Sequence, residues 1–369
     1  MTRFEAEPAV AIDLEANSLF AYREQVCLLQ FSIADRDYIV DPLAGLNLDR
    51  LGDLLANPAV EKVFHASEYD MMLLKRDHDW TIVNLFDTMW AARILGYKNM
   101  GLAWFLQEFY GVELSKKHQK ANWALRPLTP DMLAYAQADT HYLLRLRDEL
   151  HGRLEEAGRL DEASEIFAEQ CRVRLPDQTF DPDGFWGLRG ARHLTPAQLA
   201  TLQALYLFRD EEGRRRDLPV FKVLNNEALL NMAREAPKTR KALAAIHGVG
   251  PRNADRYGDQ LLRIIREARK APPPELPARK KRQDQGIIDR FERLSQWRKE
   301  RAVARGVESD VILSRETMWS IARSNPDSLD ALARVDGMGP QRMNQHGEQI
   351  LSELNEEMAD PVPQPMEGA

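Results

Sequence analysis

The sequence predicts an α/β domain followed by two small all-α bundles. Three observations carry this. Strand and helix patterns alternate through the first 165 residues, no strand pattern appears after about residue 190, and the C-terminal half repeats itself. In the first part, "AVAIDLEA", "VCLLQFSI", "DYIVD" and "VEKVFHA" are rich in Val, Ile and Phe with polar punctuation between them, so they predict strands. The first three lie close together, as a meander requires. "NLDRLGDLLAN" predicts a helix between strands. From Ser67 the period becomes helical through "SEYDMMLLKRD", "LFDTMWAARILGY" and "GLAWFLQEFYG" to the long "TPDMLAYAQADTHYLLRLRDELHGRLEEAG". Thr129 and Pro130 supply that last helix with a cap and a proline in its first turn. A mixed sheet with helices packed on it follows.

The repeat holds its register without a gap. Arg209 and Arg298, Pro237 and Pro326, Gly248 and Gly337, and Gly258 and Gly347 are each 89 residues apart. Two copies of one small helical domain therefore occupy 191–271 and 286–356. A connecting segment (166–190) leads into them and a proline-rich basic linker (272–285) separates them. Residues 357–369 have the composition of a disordered tail. In each copy "GVGP" or "GMGP" predicts a tight glycine turn that closes a hairpin; as a nest of backbone amides it has a second use, holding a phosphate.

With 369 residues and 44% apolar content, each unit has enough to bury a core. No run is long enough to span a membrane and the N-terminus lacks the apolar stretch of a signal peptide. Cys27 and Cys171 form no metal-binding pair and predict buried thiols in a reducing cytoplasm. The net charge of −7 is unevenly spread. Residues 191–285 carry +9, while 1–160, 161–190 and 286–369 carry −7, −4 and −5. A basic segment in an acidic protein predicts a polyanion partner for that segment, against the plainer reading of a solvated face.

Asp13 and Glu15 sit one residue apart on the first apolar strand, so both side chains point the same way. Paired acids in such a place are solvated, share a proton, or hold a cation. Asp70 lies where a strand gives way to a helix. Tyr135 and Asp139 are four apart on a predicted helix and share a face. The ordered set is D-x-E on a first strand, D at a strand–helix junction and Y-x-x-x-D on a late helix.

That set resembles the DEDD exonuclease superfamily in its tyrosine-containing branch. "YREQVCLLQFS", "VFHASEYDMMLL", "FDTMWAARILG" and "ANWALRPLTPDMLAYAQADTHYLL" narrow the resemblance to ribonuclease D, and the paired repeats resemble its helicase-and-ribonuclease-D-C-terminal (HRDC) domains. The resemblance spans residues 9–355 and implies a ribonuclease H-like mixed sheet, and a catalytic set of Asp13, Glu15, Asp70, Tyr135 and Asp139. It also implies two divalent ions, Mg²⁺ or Mn²⁺, held by oxygen ligands. Asp13 would bridge both ions, Glu15 and Asp139 hold one, and Asp70 hold the other. Tyr135 would orient the attacking water, since a phenol is a poor base at neutral pH. The implied activity is 3′→5′ trimming of structured RNA such as tRNA precursors, releasing nucleoside 5′-monophosphates. Only about eight residues precede the first strand, where the family has a strand and a helix, so a truncated or lost peripheral element is expected.

Weaker candidates for RNA contact are Tyr22 and Arg23 beside the acidic strand, and Lys116, Lys117 and Lys120 in "LSKKHQK". Arg214, Arg215, Arg216, Lys280 and Lys281 in and after the first repeat complete that set. His65 predicts a satisfied strand-end histidine, Glu68 a surface acid and Trp123 a core residue. Two rival readings are a DNA exonuclease of the same superfamily and a non-catalytic nucleic-acid-binding relic; the intact acids argue against the second. No G-x-x-x-x-G-K-[ST] loop is present, which argues against a helicase.

Overall fold

The computed structural model describes residues 2–277 and 283–355. A five-stranded mixed sheet lies at the centre of the N-terminal domain, in the order β3-β2-β1-β4-β5. The strands are β1 (Ala9–Ala16), β2 (Val26–Ile33), β3 (Arg36–Val40), β4 (Glu61–Phe64) and β5 (Leu85–Asp87). β1 pairs antiparallel with β2, which pairs antiparallel with β3, giving the expected meander. On its other edge β1 runs parallel to β4, and β4 parallel to β5. β1 is thus the central strand, and its register with β2 shifts between Glu15 and Ala16, a bulge of the kind that re-aims side chains beside active sites.

The domain's helices are α1 (Thr2–Glu5), α2 (Asp49–Leu55), α3 (Glu68–His78), α4 (Thr88–Leu95), α5 (Leu102–Tyr110), α6 (Pro130–His141), α7 (Leu143–Glu156) and α8 (Leu160–Gln170). Two local expectations are corrected. "LFDTMWAARILGY" is not helical from its start. Leu85–Asp87 pairs with β4 as a fifth strand, because all three residues are buried and Asp87 leaves the strand to cap α4. The long predicted helix is interrupted at Tyr142, a turn at φ −99°, ψ −6° where α6 passes into α7. The apolar core of this domain continues through Ile166, Phe167, Cys171 and Val173, so α8 belongs to it. Cys27 is buried as expected, but Cys171 is only half-buried.

The repeat is exact at the level of elements. α9 (Pro196–Arg216), α10 (Val220–Val223), α11 (Asn226–Glu235), α12 (Arg240–Ala245) and α13 (Gly250–Ala268) are followed by α14 (Gln285–Arg305), α15 (Ser309–Ile312), α16 (Arg315–Ser324), α17 (Leu329–Leu332) and α18 (Pro340–Asn355). Each copy has its own apolar core, and Phe185 and Ala191 join that of the first. The internal bonds repeat as well: Arg209 donates to the Leu224 carbonyl and Arg298 to the Leu313 carbonyl. Gly248 and Gly337 both stand at φ +87°, a left-handed conformation that glycine adopts without strain.

Both copies touch the α/β domain. The first meets the loop after β1: the Tyr22 hydroxyl donates to Asp210 at 2.6 Å, its backbone amide donates to Asp217 at 2.9 Å, and Lys222 lies 3.9 Å from the Phe20 ring centre. The second packs on α8, whose acids Glu162, Glu165 and Glu169 share one face. Arg305 donates to Glu162 at 2.6 Å and Arg342 pairs with Glu169. Glu165 accepts from the backbone amides of Gln341 and Arg342 at 2.7 and 3.2 Å. The amide nest after "GMGP" thus holds a carboxylate of the neighbouring domain, the anion position that a helix N-terminus favours.

Candidate active site

β1 delivers Asp13 and Glu15 to one face, and α6 lies across that face with Tyr135 and Asp139. Carboxylate oxygens of Asp13, Glu15 and Asp139 all lie within 4.8 Å of one another. Asp70, in the first turn of α3, shares a side-chain hydrogen bond with Asp13. All four acids therefore converge on one point, although they come from positions 126 residues apart in the chain.

The electrostatics are those of acids crowded into a poorly solvated place. Burial, and then repulsion from Asp70, Asp139 and Glu15, push Asp13 well above the usual carboxylate range. Burial, followed by Asp139 and Asp70, raises Glu15 to about 9. Burial, followed by Asp87, raises Asp70 to about 8, with the Asp13 hydrogen bond opposing it. Burial raises Asp139 to about 7. Burial and mutual repulsion favour the protonated forms of these acids, and a bound cation would offset both. An all-oxygen donor set of this charge fits a hard divalent ion such as Mg²⁺ or Mn²⁺.

Tyr135 stands between this cluster and a small cavity. Its ring packs 5.9 Å from Trp123 and 6.1 Å from His118, centre to centre. Burial, and then the charges of Asp139, Glu15 and Asp13, push its hydroxyl above the ordinary phenol value. The cavity beside it, about 260 Å³, is lined by Tyr135, Asp139, Lys117, His118 and Ser115 among others.

The scaffold that aims these groups is itself polar. Asp87, fully buried at the end of β5, accepts hydrogen bonds from the Ala66, Ser67, Met89 and Trp90 amides and from the Ser67 hydroxyl. It joins the turn that launches α3, and hence Asp70, to the start of α4. Asp37 on β3 does the same for α6, accepting from Ser32 at 2.6 Å, Gln137 at 2.7 Å and His141 at 2.8 Å. The Ser32 hydroxyl, with its proton on Asp37, also bonds at 2.7 Å to the hydroxyl of Thr140, the residue after Asp139. Asp37, Asp87 and His118 did not stand out in the sequence. The cap pattern in "FDTMW" is a signal for Asp87; Asp37 has none, since its partners lie five to 104 residues away.

The other candidates are scattered. Lys117 lines the cavity and pairs with Asp131 at 2.9 Å, whereas Lys116 and Lys120 are exposed. Arg23 is exposed, and Tyr22 spends its hydroxyl on Asp210. Arg214 is exposed, Arg215 pairs with Glu212 at 2.7 Å, and Arg216 donates to the Tyr257 hydroxyl at 2.5 Å. Lys280 and Lys281 lie outside the described residues. His65 is satisfied by Thr88 at 2.9 Å, Glu68 is exposed, and Trp123 is fully buried.

Comparison with known proteins agrees with this architecture. A family model for a 3′-5′ exonuclease matches residues 1–155, and one for the HRDC domain matches 198–265 and again 288–354. Exosome complex component 10 of Mus musculus is 34% identical over 271 residues, which is 71% of this chain and 30% of the relative. The chain thus spans less than a third of the length of that relative. Ribonuclease D of Gluconacetobacter diazotrophicus is 34% identical over 284 residues, covering 76% of this chain and 71% of its own. Among solved structures, Escherichia coli RNase D superposes with a TM-score of 0.63 at 24% identity, over 96% of this chain and 94% of that one, a likeness of fold. With a 3′-5′ exonuclease domain ahead of two HRDC domains and a bacterial relative matched over most of its length, the chain belongs to the ribonuclease D family.

Proposed function

We propose that the protein is a metal-dependent 3′→5′ exoribonuclease of the cytoplasm that trims structured RNA such as tRNA precursors and releases nucleoside 5′-monophosphates. The observation that carries this reading is the convergence of four half-buried acids and Tyr135 beside a cavity on the exonuclease domain. Asp13, Glu15, Asp70 and Asp139 would hold two divalent ions. Bound cations supply charge neutralisation for the phosphodiester and an acidified water. Tyr135 would keep its proton at neutral pH, because a phenol titrates near about 10 and burial raises it further, so it would orient the nucleophile by hydrogen bonding and not abstract a proton. Lys117 and His118 line the cavity where a terminal nucleotide would enter.

The two repeats divide the remaining work. The second uses its amide nest and two arginines on α8, so it serves as part of the body. The first, within the +9 segment, is assigned the RNA body, held by phosphate neutralisation. The test is incubation with a 3′-extended tRNA precursor and a DNA of matched sequence, in Mg²⁺, Mn²⁺ or EDTA. Stepwise loss of 3′ nucleotides from the RNA, absent in EDTA, is the expected result. Equal or faster digestion of the DNA, or activity that persists in EDTA, would refute the proposal.

A further inference from the structure

Gln30 is fully buried in the middle of β2, and neither atom of its amide has a hydrogen-bond partner among the described residues. An unpaired amide in a protein interior is costly and calls for an explanation. Its position offers one. Gln30 is directly opposite Asp13 in the β1–β2 register, so the two side chains share a face of the sheet. Two residues along the same face, Ser32 bonds to Thr140, which follows Asp139 on α6. Two residues the other way, Leu28 packs in a cluster with Trp123, Ala136 and Tyr135. The amide is thereby bracketed by the strand that carries Asp13 and the helix that carries Asp139 and Tyr135.

An amide offers a neutral donor and a neutral acceptor on one side chain. A carboxylate that binds a cation through one oxygen keeps lone pairs on the other. Groups that satisfy those lone pairs orient the ligand and raise its affinity. The other polar side chain on this stretch of the face, Ser32, is already committed to Asp37 and Thr140. We propose that Gln30 is a positioning residue of the metal centre: its Nε2–H donates to the carboxylate oxygen of Asp13 or Asp139 that a bound cation leaves free. This rests on the reading that the four acids hold divalent ions.

The experiment is isothermal titration of the full-length protein with Mn²⁺, for the parent, Gln30→Met and Asp13→Asn, with thermal melts of each in EDTA. Methionine matches glutamine in length and removes only its polar atoms. Gln30→Met is expected to melt no lower than the parent in EDTA, because an unpaired polar group has been removed, yet to bind Mn²⁺ about 10–100-fold more weakly. An unchanged Mn²⁺ affinity in Gln30→Met, with Asp13→Asn defective, overturns the role of Gln30 alone. Undiminished affinity in Asp13→Asn overturns the metal centre itself. A measurement on the unaltered protein covers a variant that does not fold. The side-chain amide resonance of Gln30 should shift on titration with Mg²⁺ and saturate with the carboxylate site; a resonance that stays still rules the interaction out.

Discussion

Asp139 and Tyr135 occupy one face of one helix, but they are expected to fail differently. Asp139→Asn removes a charge that we propose holds the cation. Its turnover should fall by more than the ~10–100-fold that loss of an outer partner costs, and its Mn²⁺ affinity should fall with it. Tyr135→Phe removes only the hydroxyl, so turnover should fall by on the order of 10²-fold while Mn²⁺ affinity is kept. Calorimetry beside single-turnover kinetics separates the two, and lost metal affinity in Tyr135→Phe would make the tyrosine a ligand. The same acids set a pH dependence. Their folded pKa values lie above the unfolded value of about 4, so the folded, metal-free protein binds more protons than the unfolded chain. The stability this contributes is complete below about pH 4. It is lost as pH rises through about 7, 8 and 9, the values of Asp139, Asp70 and Glu15. Melting temperature in EDTA should therefore fall from pH 6 to pH 9, and the gain on adding Mg²⁺ should grow over the same interval. A metal-free melting temperature that rises with pH across this range would contradict the electrostatics of the cluster.

At the scale of elements, the site depends on where α6 sits. That helix presents a poor apolar stripe, with only Ala136 and Thr140 buried along it. Packing alone holds it weakly, and Asp37 adds Ser32, Gln137 and His141 as fixed points. Asp37→Ala should cost about 1–3 kcal/mol of stability, since three donors lose their acceptor. It should also lower kcat for RNA while leaving the start of α3 intact. Urea unfolding and steady-state kinetics check both halves, and unchanged kcat with reduced stability would show that α6 is held elsewhere. Asp87 plays the corresponding part for α3, with five donors converging on one buried carboxylate. The bulge after Glu15 is the third device. It ends the regular pairing of β1 where the chain must turn toward Tyr22 and the first repeat.

Across the whole molecule, the two copies of one fold meet different parts of the α/β domain. The second repeat faces α8 through Arg305, Arg342 and the nest that takes Glu165. A side chain at Gly339 would run into that carboxylate, with Glu165 Cδ 2.3 Å from the position of a Cβ, while a Cβ at Gly250 in the first repeat meets nothing within 4 Å. In catalytically silent Asp13→Asn protein, neutralising Arg214, Arg215, Arg216, Lys280 and Lys281 together should weaken RNA binding more than deleting residues 286–369. It should also flatten the salt dependence by about 0.7 in log–log slope for each phosphate left without its cationic partner. Filter binding over a salt series decides this. A deletion that costs more affinity, or a neutralised variant that keeps its full slope, would reverse the assignment. Arg215 and Arg216 already have partners in Glu212 and Tyr257, so Arg214 should account for the largest single share within α9.

Some of this was written in the order of residues alone. Alternation on β1 put Asp13 and Glu15 on one face, helical spacing did the same for Tyr135 and Asp139, and the 89-residue register announced two copies of one bundle. These are local periodicities, and backbone geometry enforces them before any tertiary structure forms. β5 was hidden because three buried residues are too short a run to show a period. Asp37, Asp87 and Gln30 were hidden because a polar residue becomes informative only through its partners, and those come from other elements. The convergence of Asp70 with the other acids, and the seating of the second repeat on α8, were likewise decided only in three dimensions. Both depend on how elements pack across a sheet and between domains, and distance along the chain does not encode that.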